Sequence, residues 1–159
     1  MSAALRRAEP GFTILELVFV IAIAMVLLGI AAPRLLNVSA RVAVGDARSK
    51  VTSAVATARG AAVRFGRTSY LVLDAAGDRL LVQVDTSALG GALPASLGEV
   101  DLWDDLAVNL TATQPMLCFD PRGLAVAASP CTGQGVVVRL SRAGVSDSVV
   151  VSAVGRVSP

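Results

Sequence analysis

The sequence contains no histidine, and this absence removes a large part of enzyme chemistry. Histidine is the commonest general base, and without it a Cys/His nucleophile pair is excluded. Cysteine occurs only at Cys118 and Cys131, which is too few for a metal site. No other group of residues supports catalysis, so we expect no enzyme and no bound metal or cofactor.

Aromatic residues are also scarce, at 4% of the chain, although 54% of the residues are hydrophobic. The hydrophobic positions are mostly small aliphatic residues, so the core must pack through short side chains rather than large rings. With 159 residues, the chain has room for one modest domain and an appendage.

The formal net charge of +2 conceals an uneven distribution of charge. Residues 34–67 contain seven basic residues and one acid, whereas residues 68–159 contain five arginines and nine acids. The distal part is therefore acidic. This argues against a phosphate-binding surface there, because such surfaces are built from clustered Lys and Arg.

Charge is almost missing from residues 12–32, where Glu16 is the sole ionisable side chain. At ~1.5 Å per residue, this run is long enough to cross a bilayer as a helix. We predict a transmembrane helix over residues 12–32. A carboxylate in hydrocarbon costs on the order of a few kcal/mol unless a partner neutralises it, so Glu16 is a candidate functional residue.

Two arginines, Arg6 and Arg7, precede the apolar run. Basic residues beside a membrane helix are retained in the cytoplasm, so we expect the N-terminus there and the C-terminal bulk outside. The alternative is an ordinary secretory signal peptide, cleaved near residues 22–24 or near Ala31. The run exceeds the ~7 to 15 apolar residues of a signal peptide and includes a charge, which favours a retained helix.

The helical pattern continues after the apolar run, with small or apolar residues at intervals of three to five positions. It predicts one helix from about Thr13 to Phe65, amphipathic over residues 33–67. Pro33 should kink this helix, because proline removes a backbone hydrogen bond and clashes with the preceding turn. Gly66 fits the C-cap position.

From Thr68 onward the hydrophobic period changes to two, which indicates β-strands. Residues 75–78 favour a hairpin turn, residues 120–123 a type I turn, and residues 87–105 a loop. The predicted strands are Ser69–Asp74, Arg79–Thr86, Leu106–Thr111, Met116–Phe119, Leu124–Ala127, Val136–Ser141 and Ser148–Val154. We therefore predict an α+β protein, in which a long kinked N-terminal helix packs on an antiparallel β-sheet domain of residues 68–159.

The two cysteines are expected to form a disulfide, Cys118 to Cys131. A chain with a membrane-targeting segment exposes its distal domain to an oxidising compartment, where disulfides persist. The bridge would close a loop of about a dozen residues, worth ~3 kcal/mol by chain entropy.

Two acidic motifs have a structural and a functional interpretation. The sequence Asp85-Thr86-Ser87 is similar to the Asp-Thr-Gly of aspartic proteases, but the glycine and a second carboxylate are missing, so we expect Asp85 to cap a turn. Asp101, Asp104 and Asp105 carry the oxygen ligands that Ca²⁺ prefers, although three acids in an irregular loop are more simply solvated surface.

The segment Gly11-Phe12-Thr13-Ile14-Leu15-Glu16 resembles the processing site of type IV pilins and type II secretion pseudopilins. The resemblance implies that residues 1–11 are a leader peptide. Prepilin peptidase would cut between Gly11 and Phe12, and the new N-terminus of Phe12 would be methylated. It also implies that Glu16 acts in assembly, where its carboxylate could pair with the Phe12 amine of a neighbouring subunit in low dielectric.

Residues 116–123, a following hydrophobic strand and residues 149–157 resemble the C-terminal signature of GspH/FimT minor pseudopilins. The resemblance implies a non-enzymatic structural subunit of a type II secretion pseudopilus or a type IV pilus. One helix would hold it in the bacterial inner membrane, with the C-terminal domain in the periplasm. The implied partners are other pilins or pseudopilins and the prepilin peptidase. The alternative is a DNA-binding minor pilin for natural transformation, in which Arg156 after Gly155 contacts nucleic acid.

Overall fold

The computed structural model describes residues 13–87, 94–127 and 130–158, without the side chains of residues 32, 33, 35 and 36. By its internal contacts the chain divides into two units, which meet between Leu36 and Asn37. The elements are α1 (Ile14–Phe65), β1 (Ser69–Asp74), β2 (Arg79–Val84), β3 (Ala95–Asp101), α2 (Leu102–Leu106), β4 (Asn109–Ala112), β5 (Met116–Phe119), β6 (Ala125–Val126), β7 (Val136–Arg142), β8 (Val145–Val151) and β9 (Val157–Ser158).

Helix α1 has the predicted length and ends where the sequence indicates. Gly66 follows the last helical residue with φ of 63°, the left-handed conformation that glycine adopts without strain. The Arg67 amide donates to the carbonyl of Ala62 at 3.1 Å, which closes the last turn. This is the Schellman arrangement of a helix C-terminus.

The second half of α1 buries a stripe of small residues at helical spacing. Ala47, Val51 and Ala58 are completely buried. Short side chains allow the backbone of α1 to lie close to the strands. The hydroxyl of Ser69 at the start of β1 donates to the carbonyl of Ala58 at 2.6 Å, so the helix and strand are joined by a buried hydrogen bond as well as by packing.

The strands form two antiparallel sheets, as the predicted α+β class requires. The first sheet has the order β3-β2-β1-β5-β6 and the second has the order β4-β7-β8-β9. The buried side chains of both sheets and of α1 belong to one core. Its largest members include Phe119, Leu71, Leu117, Leu110 and Leu140.

The loop predicted over residues 87–105 is wrong for the part that the structure describes. Strand β3 pairs with β2, with a register shift between Val82 and Gln83, and α2 follows directly. Most of β3 is exposed, so its sequence lacks the alternation that marks a half-buried strand. Its strand conformation comes from hydrogen bonds to β2, which a local pattern does not reveal. Residues 88–93 lie outside the described residues.

Two strands at the C-terminal end also differ from the prediction. Strand β8 runs from Val145 to Val151 rather than from Ser148 to Val154, and it begins early because Ala143 and Gly144 turn the chain tightly with φ of 46° and 81°. The short strand β9 was not predicted. It pairs with the end of β8 through Val151 and Val157 and forms an edge of the second sheet.

Candidate functional site

The start of α1 is capped by the residue before it. The Thr13 hydroxyl accepts a hydrogen bond from the Glu16 amide at 3.2 Å. Threonine is a favoured N-cap, and a carboxylate in the first turn is stabilised by the helix dipole. Glu16 therefore lies where a helix best tolerates a negative charge. Gly11 and Phe12 lie outside the described residues, so cleavage and methylation there stay predictions.

The apolar run of α1 has no covering layer within its own unit. Residues Ile14–Ala31 have a mean hydropathy of 2.9, and none of this window is buried. The segment is long and apolar enough to cross a membrane. It contains no Lys or Arg that could neutralise Glu16. A partner for this carboxylate must come from outside the segment.

Pro33 is included within the helical range of α1. Its side chain is not among those described, and it lies next to the division between the two units. The kink at Pro33 stays a prediction.

Cys118 and Cys131 form a disulfide with a Cα–Cα distance of 5.8 Å. Cys118 lies on β5, opposite Tyr70 of β1, and both cysteines are buried. The bridge ties the segment before β7 to the first sheet. Its two residues belong to the same compact unit as the core.

The Gly155-Arg156 pair lies in a tight turn between β8 and β9. The Gly155 amide donates to the Ser152 carbonyl at 2.8 Å, and Gly155 has φ of 71°. A Cβ at Gly155 would lie 3.2 Å from the Phe119 ring and 3.8 Å from Arg59. Both the backbone conformation and the close packing therefore require glycine at position 155. The side chain of the next residue, Arg156, is exposed.

Arg59 was not singled out by its sequence, yet it lies between two turns. Its Cγ and Nε atoms come within 3.0 and 3.1 Å of the position that a Gly123 Cβ would occupy. Gly123 has φ of 77° and closes the turn that begins at Asp120. A basic residue on a helix face gives no local signal for such a contact, because the glycines lie far away in the sequence.

Three of the four acidic residues that raised functional alternatives have structural partners for their carboxylates. Asp85 accepts from the Ser87 amide at 2.8 Å, which confirms that it caps a turn; this hydrogen bond lowers the pKa of Asp85. Asp101 accepts from the Asp104 amide at 2.8 Å, and this bond is the main cause of its lowered pKa. Asp105 forms an ion pair with Lys50.

The turn of residues 120–123 has the predicted form. The Gly123 amide donates to the Asp120 carbonyl at 2.8 Å, as in a type I turn. The Asp120 carboxylate accepts from the Leu124 and Arg122 amides, both at 2.9 Å. The bond from Leu124 contributes most to lowering the pKa of Asp120.

Comparisons with known proteins agree with the N-terminal motif and with the fold. Residues 6–32 match the family model of the prokaryotic N-terminal methylation motif. The type IV minor pilin FimU of Pseudomonas aeruginosa is similar in structure, with a TM-score of 0.57 and 19% identity over 74% of this chain and 88% of FimU. The minor pseudopilin EpsH of the type 2 secretion system of Vibrio cholerae has a TM-score of 0.55 and 11% identity, over 72% of this chain and 94% of EpsH. A search of curated proteins found no match.

The fold is thus that of a pilin-like α+β protein, with a long apolar N-terminal helix and antiparallel sheets. The methylation motif and this fold together support the type IV pilin and pseudopilin superfamily.

Proposed function

We propose that this chain is a minor pilin or minor pseudopilin of GspH/FimT type, a structural subunit of a type IV pilus or a type II secretion pseudopilus. Prepilin peptidase removes residues 1–11, and the new N-terminus of Phe12 is methylated. The helix of residues 12–32 holds the subunit in the inner membrane, with the domain in the periplasm. Other pilins or pseudopilins are its partners in the filament.

The observation that carries this proposal is the uncovered apolar segment that lies within the match to the methylation motif. Residues Ile14–Ala31 expose large side chains such as Leu28 and Met25, each 67% exposed. In a membrane these side chains contact lipid. In a filament, the corresponding helices of other subunits cover them. The same segment therefore holds the subunit in the membrane before assembly and packs against other subunits after it.

Glu16 provides the charge that directs assembly. The cost of a carboxylate at the centre of a bilayer is ~2.5 to 3.5 kcal/mol on insertion scales. Two opposite charges ~4 Å apart attract by about 4 kcal/mol at an effective dielectric constant near 20. A pair between Glu16 and the Phe12 amine of a neighbour therefore recovers part of the cost of burying the two charges. That amine exists only after cleavage at Gly11.

Mass spectrometry of the N-terminus tests the processing step. The full chain is expressed in a host that contains a prepilin peptidase. The wild-type protein should begin at methylated Phe12, whereas Gly11→Ala should keep residues 1–11. Gly29→Ala is the matched control, because a Cβ at Gly29 has no neighbour within 4 Å and this variant should be cut normally. An uncut wild-type chain would refute the proposal.

A second experiment tests the role of Glu16 in assembly. Glu16→Gln keeps the size of the side chain but removes the charge, so the variant should be processed and inserted in the membrane normally. It should be strongly depleted from filaments sheared off the cell. Normal incorporation of this variant would contradict the docking role of Glu16.

DNA binding is a second candidate function, favoured by the exposed arginine after Gly155. In the described part of the chain the Arg156 guanidinium has no ion-pair partner, so its charge is available. A gel-shift assay on the full chain in detergent tests this function. Salt-sensitive binding that Arg156→Ala abolishes would support a DNA receptor, and no binding would contradict it.

A further inference from the structure

We propose that a cleft beside helix α2 binds an arginine side chain of a different pilin or pseudopilin subunit. The cleft, which we call the α2 cleft, is lined by residues 76–79, Asp101, Trp103, Asp104 and Asn109. It belongs to the unit that begins at Asn37. The inference rests on the proposed filament function and names the chemical group by which a neighbouring subunit is recognised.

Trp103 is the sole tryptophan of the sequence, and its ring is displayed on the surface of the domain. Its side chain is 51% exposed, although tryptophan is highly buried on average. The residue before it, Leu102, is completely buried in the core. The turn of helix that buries Leu102 therefore holds the indole ring at the surface. Tryptophan is among the residues that most often dominate binding energy at protein interfaces.

Backbone hydrogen bonds hold the α2 cleft in shape. The Asp104 amide donates to the Asp101 carboxylate at 2.8 Å, which caps the start of α2. The Leu102 amide donates to the Asp78 carbonyl at 2.9 Å and so joins α2 to the turn between β1 and β2. Both sides of the cleft are thus connected. A preformed site loses less conformational entropy when it binds a partner.

The charge of the α2 cleft is negative. Among its described lining residues, Asp78, Asp101 and Asp104 are acidic, and Arg79 is the single base. The Nε atom of Arg79 lies 3.0 Å from an oxygen of Asp101, so these two charges compensate each other. Asp104 is exposed and has no ion-pair partner among the described residues. An indole ring and an uncompensated carboxylate therefore line the same cleft.

A metal ion fits these carboxylates poorly. Ca²⁺ takes about six to eight oxygen ligands. One Asp101 oxygen accepts from the Asp104 amide, and the other is paired with Arg79. An Asp78 oxygen accepts from the Leu110 amide at 2.6 Å. In the part of the chain that the structure describes, no three His, Cys, Asp or Glu side chains are grouped so that they could hold a metal ion.

The α2 cleft has the size and the chemistry to take the end of an arginine side chain. Its volume is about 340 Å³, near the lower limit of the ~300 to 1,000 Å³ that is typical of ligand sites. A guanidinium is planar and always charged, so it can stack on an aromatic ring while it donates to a carboxylate. Trp103 and Asp104 supply these two contacts. A lysine ammonium is more strongly hydrated and has no plane to stack, so arginine is the better match.

A neighbouring subunit is the source of this arginine. Arg79, the one base among the described residues of the α2 cleft, is already held by Asp101 and by Glu99. The cleft therefore keeps a negative charge that a group from outside must compensate. In the proposed filament the surrounding molecules are other pilins or pseudopilins, and arginine is enriched where protein surfaces meet.

The fluorescence of Trp103 tests whether the α2 cleft binds a guanidinium. The full chain in a neutral detergent is titrated with N-acetyl-arginine amide. No other tryptophan contributes to the emission, so the signal reports on this cleft. We expect a change that saturates at millimolar concentrations. N-acetyl-citrulline amide has the same shape without the charge, and it should bind roughly tenfold more weakly because the charge-assisted hydrogen bond is lost.

A matched pair of variants assigns the binding to Asp104. Asp104→Asn should fold as the wild type does, because its carboxylate is exposed, and it should bind the arginine amide roughly tenfold more weakly. Asp105→Asn removes the same charge one position away. Asp105 is paired with Lys50 and does not line the α2 cleft, so this variant should bind as the wild type does.

Three results of the titration would overturn the inference. The first is a response that does not saturate or that is equal for the citrulline amide. The second is binding of the arginine amide that survives in Asp104→Asn. The third is a saturable response to calcium chloride, which would assign the α2 cleft to a metal ion.

Incorporation into filaments tests whether the arginine belongs to a different subunit. Asp104→Arg should be cut after Gly11 and inserted in the membrane normally, but it should be several-fold depleted from sheared filaments because it repels the incoming arginine. Asp105→Asn should be incorporated like the wild type. Normal incorporation of Asp104→Arg, or a dimer of this chain in detergent that Asp104→Asn dissociates, would overturn the inference. A wild-type chain that is uncut or absent from filaments would instead refute the filament function itself.

Discussion

The two halves of α1 have the same backbone geometry but opposite surroundings. In the first half, residues Ile14–Ala31, the side chains are exposed and most of the residues are large and apolar. In the second half, the residues that face the core are mostly alanine and valine, and they are buried. Large apolar side chains thus stay outside the folded domain, and small ones pack inside it.

This difference shows that hydrophobicity alone does not determine which residues form a core. The sheets need a helix that can approach closely, and the buried alanines of the second half permit this. The first half presents Leu, Ile, Val and Phe side chains that its own unit does not cover. Its partners are lipid or other subunits, so the stability of the domain should depend on the second half alone.

The largest effect is expected for a matched pair of phenylalanine substitutions. Phe119 is completely buried against the Gly155 turn, whereas Phe19 is 63% exposed. Phe119→Ala should lower the free energy of unfolding of the domain by ~3 to 5 kcal/mol, through lost burial and a cavity. Phe19→Ala should leave it unchanged. Denaturant unfolding in detergent micelles, followed by circular dichroism, measures both free energies. Equal losses of stability in the two variants would contradict the conclusion that residues Ile14–Ala31 do not stabilise the domain.

Loss of the disulfide should cause the second largest decrease in the stability of the domain. Cys118 and Cys131 are separated by 13 positions in the sequence. A loop of about this length is worth ~3 kcal/mol by chain entropy. Reduction should lower the denaturation midpoint of the domain and leave the first half of α1 helical. A free-thiol assay on unfolded, unreduced protein should find no thiol, and two reactive thiols would contradict the bridge.

A smaller effect is expected for a matched pair of alanine-to-leucine variants, with one substitution in each half of α1. Ala58 is completely buried and its carbonyl accepts the Ser69 hydroxyl, whereas Ala24 is exposed. Ala58→Leu should destabilise the domain by ~1 to 3 kcal/mol because the core has no room for the added carbons. Ala24→Leu should have no measurable effect on the same unfolding curve. Any equal response would show that the first half also packs on the domain.

The smallest effect concerns pH and the acids that cap turns of the domain. The pKa of Asp120 is lowered from 3.8, chiefly by the Leu124 amide. Its charged form therefore contributes stability above pH ~4, and this contribution is lost as the pH falls through the lowered pKa. Asp120→Asn should lower the denaturation midpoint at pH ~6, and the difference from wild type should shrink as the pH falls below ~4. A constant difference would contradict this role.

Local patterns predicted α1, most of the strands and the turns. β1 was predicted at its observed bounds because its residues alternate between buried and half-buried, and β5 was predicted at its observed bounds because it is a short apolar run that ends at the Asp120 turn. β3 was missed because it lies at an exposed edge, where side-chain burial imposes no alternation. The proximity of Arg59 to Gly123 also escaped prediction, since the two residues are distant in the sequence.

The sequence by itself determined the long apolar helix with Glu16 in its first turn, the change to strands after Gly66 and the α+β class. These features follow from composition and from periodicities within a few residues. Tertiary structure alone decided that the strands divide into two sheets, that β3 joins the edge of the first sheet, and that Arg59 lies against the turn at Gly123. Each of these depends on hydrogen bonds and packing between distant segments, which only the folded chain brings together.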